Sequence, residues 1–246
     1  MSSLKDLGQY GPILIDPTRI LIDNVVYPSE LRNIRTCIES ALSGLSPHPC
    51  DVILDDFMVP SFFIESESNL PLDPMSREAF FDWRYRHLSS KTGELKTVAC
   101  PIDDKGWILN GIEMDLLENL EEGFYSSGFH VKSIVPKWSY ILNSLLLKSG
   151  NMPSCLVCLS PTLGGRYRGT LVAWKDSVSL FRQWAEDVNL ETWNEERIYP
   201  TLAYLERTWL HKPDLYTFGT QKPISIADYQ SISVDQENHL GAINAS

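Results

Sequence analysis

The feature that most constrains the fold is an alternation in the chain. Short runs of branched apolar residues exchange with stretches whose apolar residues recur at helical spacing, in the order strands, helix, strands, helices, and again strands then a helix. Such an order specifies an α/β protein and suggests two related halves. The opening run shows the pattern. Residues 13–27 are rich in Ile, Leu and Val and are interrupted at Asp16-Pro17 and at Asp23-Asn24, which predicts two or three short antiparallel strands. Ser29 then offers an N-cap, and Leu31, Ile34, Cys37, Ile38, Ala41 and Leu42 follow at helical spacing as far as Gly44.

Strands are expected next over 52–54 and 57–64, with a polar loop over 65–69. Asp73 and Pro74 begin a helix whose stripe is Ala79, Phe80, Trp83 and His87. A strand over 96–102 precedes a helix opened by Gly111, carrying Ile112, Leu116, Leu117, Leu120 and Phe124, and closed by Gly128. A strand over 130–135 stops at Pro136, and Trp138, Ile141, Leu142, Leu145 and Leu146 form a further helix. The last third reads as a strand over 155–159, a turn at Gly164-Gly165, and a hairpin of 170–174 with 178–184. A helix over 192–209 follows, opened by a Thr192/Glu195 capping box and disturbed at Pro200. From Pro223 to Ser246 no period is sustained, and a loose tail is expected.

Bulk properties narrow the function. With 246 residues, 43% hydrophobic and 11% aromatic, the chain belongs to the globular class. A net charge of −11 opposes nucleic-acid binding unless a basic patch is concentrated somewhere. Lys132, Lys137 and Lys148 read as dispersed over solvated faces, and Arg77, Arg84 and Arg86 alternate with Glu78 and Asp82. The first nine residues lack the character of a secretory signal, and no apolar run approaches the roughly 20 residues that span a bilayer. Five scattered cysteines suit a reducing compartment, so a cytoplasmic protein is expected.

Residues able to carry chemistry are few. Cys155-Leu-Val-Cys158 has CxxC spacing but falls inside a strand, where positions three apart face opposite sides. His48, His87, His130, His211 and His239 show no metal-ligand spacing, and no GxSxG elbow is present. The acidic pairs Asp55-Asp56, Asp103-Asp104 and Glu121-Glu122 read as solvated surface by default. The first pair is the best candidate of the three, because it ends an apolar strand. Residues 164–169, Gly-Gly-Arg-Tyr-Arg-Gly, look like a phosphate cradle but lack the Walker lysine and a following helix, so a hairpin turn is the expected reading. No catalytic residue, metal site or cofactor is assigned.

Taken together, the elements over about residues 11–219 resemble the actin-like fold used by the type IV pilus assembly protein PilM and the cytoplasmic part of the type II secretion protein GspL. The resemblance rests on the opening hairpin strands, the helix after Ser29, the strands at Asp51-Val-Ile-Leu and 57–64, the aromatic helix around Phe80 and the unit from Gly111 to Pro136. It implies an actin-like (ribonuclease H-like) fold with mixed sheets flanked by helices. A first lobe over 1–135, a second, smaller lobe over 136–222 and the tail over 223–246 are expected. Actin-like ATPases hold phosphates with Asp-x-Gly-Thr hairpin turns. Here the corresponding places read Asp16-Pro17-Thr18-Arg19 and Ser160-Pro161-Thr162-Leu163-Gly164-Gly165, so Asp16, Thr18, Gly164 and Gly165 mark degenerate phosphate loops. The resemblance implies a non-hydrolysing scaffold, peripheral to the inner membrane, that binds a membrane-anchored pilus or secretion protein. The rival readings are an active ATP-binding ATPase with a cleft at Asp16, Thr18, Asp55 and Gly164-Gly165, and an unrelated interaction module presenting Trp107 or Trp174.

Overall fold

The structure, a computed structural model, describes residues 11–65, 70–102, 105–149, 152–220 and 224–234. The branched apolar opening folds as strands β1 (Ile13–Asp16), β2 (Arg19–Ile22) and β3 (Val25–Pro28), paired antiparallel in succession. Asp23 and Asn24 join β2 to β3 with φ of 44° and 70°, the left-handed backbone that a two-residue hairpin requires. A 3₁₀ turn (Leu31–Asn33) leads into α1 (Ile34–Leu42). Ser29 does not cap it: its buried hydroxyl has no hydrogen-bond partner, and the helix starts without a side-chain cap.

Strands β4 (Pro49–Leu54) and β8 (His130–Pro136) then complete a five-stranded sheet in the order β3-β2-β1-β4-β8, with β1, β4 and β8 parallel. One face of this sheet packs on α1 and on α3 (Met114–Ser126) through Ile13, Ile15, Val52, Leu54, Ile34, Ile38, Leu120 and Phe124. Residues 154–233 repeat the plan. Strands β9 (Ser154–Pro161), β10 (Tyr167–Lys175) and β11 (Ser177–Val188) are antiparallel in succession, and β12 (Asp214–Phe218) and β14 (Tyr229–Ser233) run parallel to β9. The sheet order is β11-β10-β9-β12-β14, with the short β13 (Ser225–Ile226) beyond. Two sheets with the same strand order and the same senses show that the halves are alike in architecture. α4 (Lys137–Ser149) places Trp138, Ile141, Leu142 and Leu145 in one apolar cluster with Leu156, Val172 and Trp174 of the second sheet, and it also touches β4 and β8 of the first.

Between β4 and β8 the first half carries an insertion. β5 (Ser61–Glu65), β7 (Gly106–Glu113) and β6 (Leu95–Ile102) form a three-stranded antiparallel sheet covered by α2 (Pro74–Ser89). Asp73 does cap α2, accepting a hydrogen bond from the Ser76 amide at 2.8 Å. The buried stripe of α2 is Phe81 and Tyr85, while Ala79, Trp83 and His87 face solvent, with Trp83 stacked on His87. The expected stripe is thus shifted to the other side of the helix. Gly111 lies in β7 and does not open a helix. A Cβ there would sit 2.3 Å from the Tyr85 ring, so close packing on the sheet explains the glycine.

Other expectations are corrected. Residues 57–60 turn rather than extend, because Asp55 caps the Phe57 amide at 3.1 Å and accepts from the Met58 amide through its carbonyl. The late helix is capped by Asn189 and not by Thr192. It runs as a short α5 (Leu190–Thr192), a π-helical segment (Trp193–Ile198) and α6 (Tyr199–Trp209), the π stretch lying just before Pro200, which has no amide to donate. The supposed tail supplies β13 and β14 at the edge of the second sheet. Trp174 is buried and Trp107 half-buried, so neither forms an exposed patch. The polar loop over 66–69, Asp103-Asp104, His239 and residues 235–246 lie outside the described residues.

Candidate functional site

Parallel strands with like-sensed carboxyl ends open a cleft, and the residues that follow those ends line it. The cavity between the two principal sheets has a volume of about 990 Å³ and is bordered by the Asp16–Arg19 turn, Asp55, Lys137, Ser160–Thr162, Arg168, Asp187 and Gly219. The structure therefore brings together Asp16, Thr18 and Asp55 at its wall, while Gly164 and Gly165 stand on the exposed turn between β9 and β10. Both glycines have positive φ, 74° and 71°, as a tight turn requires.

The first turn is occupied by its own side chains. Asp16 Oδ1 accepts from the Thr18 amide at 2.8 Å, from Thr18 Oγ1 at 2.8 Å and from the Arg19 amide at 3.0 Å, and Oδ2 accepts from Arg19 Nε at 2.6 Å. Pro17 has no N–H to offer. The amides that would hold an anion here are thus already paired within the turn. In the second turn the Thr162 amide donates to the Arg166 carbonyl at 2.8 Å. On the second half, Arg168 of β10 pairs with Asp187 of the neighbouring β11 at 2.5 Å.

The centre of the cleft is a buried polar cluster. Lys137, the first residue of α4, places Nζ 2.8 Å from Asp55 Oδ2 and 2.6 Å from Ser160 Oγ, and Ser160 donates to Asp55 Oδ2 at 2.5 Å. Asp56 accepts from the Trp138 amide at 2.8 Å through Oδ1, and its carbonyl accepts from Gln183 Nε2 at 3.1 Å. Trp138 Nε1 donates to Ser61 Oγ at 3.1 Å, and the Ser61 amide donates to Gln183 Oε1 at 3.0 Å. All three sheets are joined at this point. Burial alone would raise the Asp55 carboxyl, but the Lys137 charge with the Lys137 and Ser160 hydrogen bonds outweighs it and holds Asp55 below the usual carboxylate range. Burial and the neighbouring Asp55 push Asp56 up to about 6, against the pull of Lys137. Burial would lower Lys137, and the two carboxylates outweigh that and keep it firmly protonated. Held protonated, Lys137 donates to Asp55 and Ser160, and Ser160 donates in turn to Asp55.

Lys137 was read from the sequence as part of a solvated face; the structure buries it to 4% exposure. Asp55-Asp56, whose default reading was solvated surface, is buried as well, at 4% and 0%. The signal available was position: Asp55, Lys137 and Ser160 each lie at or just beyond the carboxyl end of an apolar parallel strand, β4, β8 and β9. Cys155 and Cys158 lie on opposite faces of β9, in two different apolar clusters, with both thiols pushed up by burial. Among the described residues no group of His, Cys, Asp and Glu has the arrangement of a metal site.

A second cavity, of about 610 Å³, is a groove on the first half. Every residue of β8 from His130 to Pro136 lines it. Successive side chains of a strand point to opposite faces, so a cavity touched by all of them runs along the strand's edge. Among the described residues β8 is an end strand of its sheet, which leaves backbone N–H and C=O groups along that side without a strand partner there. Opposite stands a face of the inserted sheet: Lys96, Val98 and Cys100 of β6, alternate residues, with Asn110 and Ile112 of β7. Leu117, Glu121 and Tyr125 of α3 close the third side.

No protein-family model matches this chain, and no curated protein matches it in sequence. Solved structures do. One is a Bacteroides thetaiotaomicron protein with an actin-like ATPase fold and unknown function, at 12% identity over 90% of this chain and 86% of that one, with a TM-score of 0.55. Another is the cytoplasmic domain of EpsL, an inner-membrane component of the type II secretion system of Vibrio cholerae, at 11% identity over 96% and 94%, with a TM-score of 0.52. A third is the PilM-PilN type IV pilus biogenesis complex, at 10% identity over 85% and 80%, with a TM-score of 0.52. With the doubled sheet order, these place the chain in the actin-like α/β class. Among the described residues no helix is long and apolar enough to cross a membrane.

Proposed function

We propose that this chain is a non-hydrolysing docking scaffold whose groove beside β8 holds an extended, largely apolar segment of a membrane-anchored protein. The setting is the cytoplasmic face of the inner membrane, in a type IV pilus or type II secretion assembly platform. The observation that carries this reading is the edge of β8, open along its length and facing the alternating Lys96, Val98 and Cys100 side chains of β6. A segment adding itself as a strand would satisfy the backbone groups of β8 and lay every second side chain on that face. Two similar structures support the setting: one is a PilM-PilN complex, the other an inner-membrane component of a secretion system.

The cleft supports the non-hydrolysing part. The amides of Thr18, Arg19 and Thr162 are paired within their turns, and a triphosphate would have to break Asp16–Arg19 and Arg168–Asp187 to gain charged partners in a chain of net charge −11. Calorimetric titration with synthetic peptides from the cytoplasmic segments of co-encoded membrane proteins, run beside MgATP, tests both parts. One peptide is expected to bind and to protect exposed Cys100 from maleimide, with no heat from MgATP at micromolar concentration. Micromolar MgATP binding, with no peptide protecting Cys100, would establish the ATPase reading instead.

A further inference from the structure

The buried cluster in the cleft has an unbalanced charge count. Two carboxylates, Asp55 and Asp56, share one ammonium, Lys137, and all three are at least nine-tenths buried. The groups that face Asp56 among the described residues come from several elements. Its own strand end supplies Asp55, α4 supplies Lys137 and the Trp138 amide, and β5 supplies Ser61 through Trp138. β9 supplies the un-ionised thiol of Cys158, β10 supplies Thr170 and β11 supplies Gln183. None of these adds a second positive charge. A buried excess charge is costly unless a proton or a cation neutralises it. The same residues span the cleft: Asp55 and Asp56 follow β4 of the first sheet, whereas Ser160 and Gln183 belong to the second.

We propose that Asp56 is a proton-operated clasp between the two halves. Protonated, it leaves the Asp55–Lys137 pair balanced and the halves held together; ionised, it leaves one buried negative charge in excess and the contact across the cleft loosens. This inference is independent of what the β8 groove binds. Because the carboxyl titrates higher in the folded protein, at about 6, than in the unfolded chain, at 3.8, its contribution to stability is present in acid and is lost as pH rises between those values.

The test compares the full chain with Asp56→Asn, which keeps an oxygen for the Trp138 amide but carries no charge. Urea unfolding between pH 4.5 and 7.5 is expected to show the folding constant of the native chain, divided by that of the variant, falling on the order of thirtyfold. Amide exchange at the Asp16–Arg19 and Thr162–Arg166 turns, corrected for intrinsic rates, should quicken over the same range in the native chain and stay level in the variant. Parallel pH profiles for the two proteins, or turn exchange in the native chain that does not change with pH, would overturn the clasp. Should the variant fail to fold, the native chain alone decides: turn exchange must follow the titration of a single carboxyl near pH 6.

Discussion

The two halves of this molecule are built on one plan and treat their polar groups in opposite ways. Each has a sheet with three successive antiparallel strands followed by two that run parallel to the third, in the same order. In the cleft between the halves, most charged groups are paired with one another, as Asp16 with Arg19, Arg168 with Asp187 and Asp55 with Lys137, with Asp56 the buried carboxylate in excess. In the groove on the first half, created where β5–β7 and α2 are inserted, the backbone edge of β8 has no strand partner among the described residues and faces exposed side chains of β6. Matched polar groups stabilise and unmatched ones bind. The difference therefore separates a region serving architecture from one serving recognition.

The largest effect expected is in the cleft. Lys137→Met removes the cation that, among the described residues, faces Asp55 and Asp56, and breaking a buried pair in this way costs on the order of 3–5 kcal/mol, to be read by urea unfolding. A loss as small as an exposed salt bridge gives would mean that the cleft is wetter than the geometry indicates. Gly111→Ala comes next. Its methyl would meet the Tyr85 ring, whose hydroxyl lies 3.1 Å from the Pro60 and Gly111 carbonyls, and such overpacking costs about 1–3 kcal/mol. Asp16→Ala frees the amides of Thr18 and Arg19 and should cost about 0.5–2 kcal/mol, as the loss of a cap does. If that variant alone gained MgATP binding, Asp16 would be the group that keeps phosphate out.

Much of the plan was legible in the chain. The branched run over 13–27, the strand over 96–102, the hairpin after Gly165 and the helix after Pro136 were all marked by period and by turn residues. What failed did so where tertiary packing overrides local pattern. On α2, Phe81 and Tyr85 won the buried side over Phe80 and Trp83 because the inserted sheet lies on that side, which periodicity in an aromatic-rich helix cannot reveal. Gly111 and Ile112 fit the period of α3 and so predict its start, whereas they close strand β7. The Asp55-Asp56 pair stands out by its place at a strand end, but its burial and the role of Lys137 are not legible, because a charged residue reads as solvated unless its partner is known and the partners lie 82 residues apart in the chain. Strands β13 and β14 were missed because a short edge pairing leaves little apolar alternation.

The smallest effect on stability should accompany a large effect on binding. Val98 is 53% exposed on β6 and touches the groove. Val98→Asp removes little buried area, so unfolding should change by less than about 1 kcal/mol, within the range of strand preference. A carboxylate placed on the apolar wall opposite β8 would be desolvated by any strand added there, and peptide affinity should fall at least about tenfold. The cleft variants behave in the reverse sense. Asp16→Ala changes unfolding and should leave peptide affinity within about twofold, because its partners Thr18 and Arg19 do not line the groove and sites without shared partners act additively. If Val98→Asp left binding intact while a cleft variant abolished it, recognition would belong to the cleft, and the division between matched and unmatched polar groups would fail as a guide to where this fold binds.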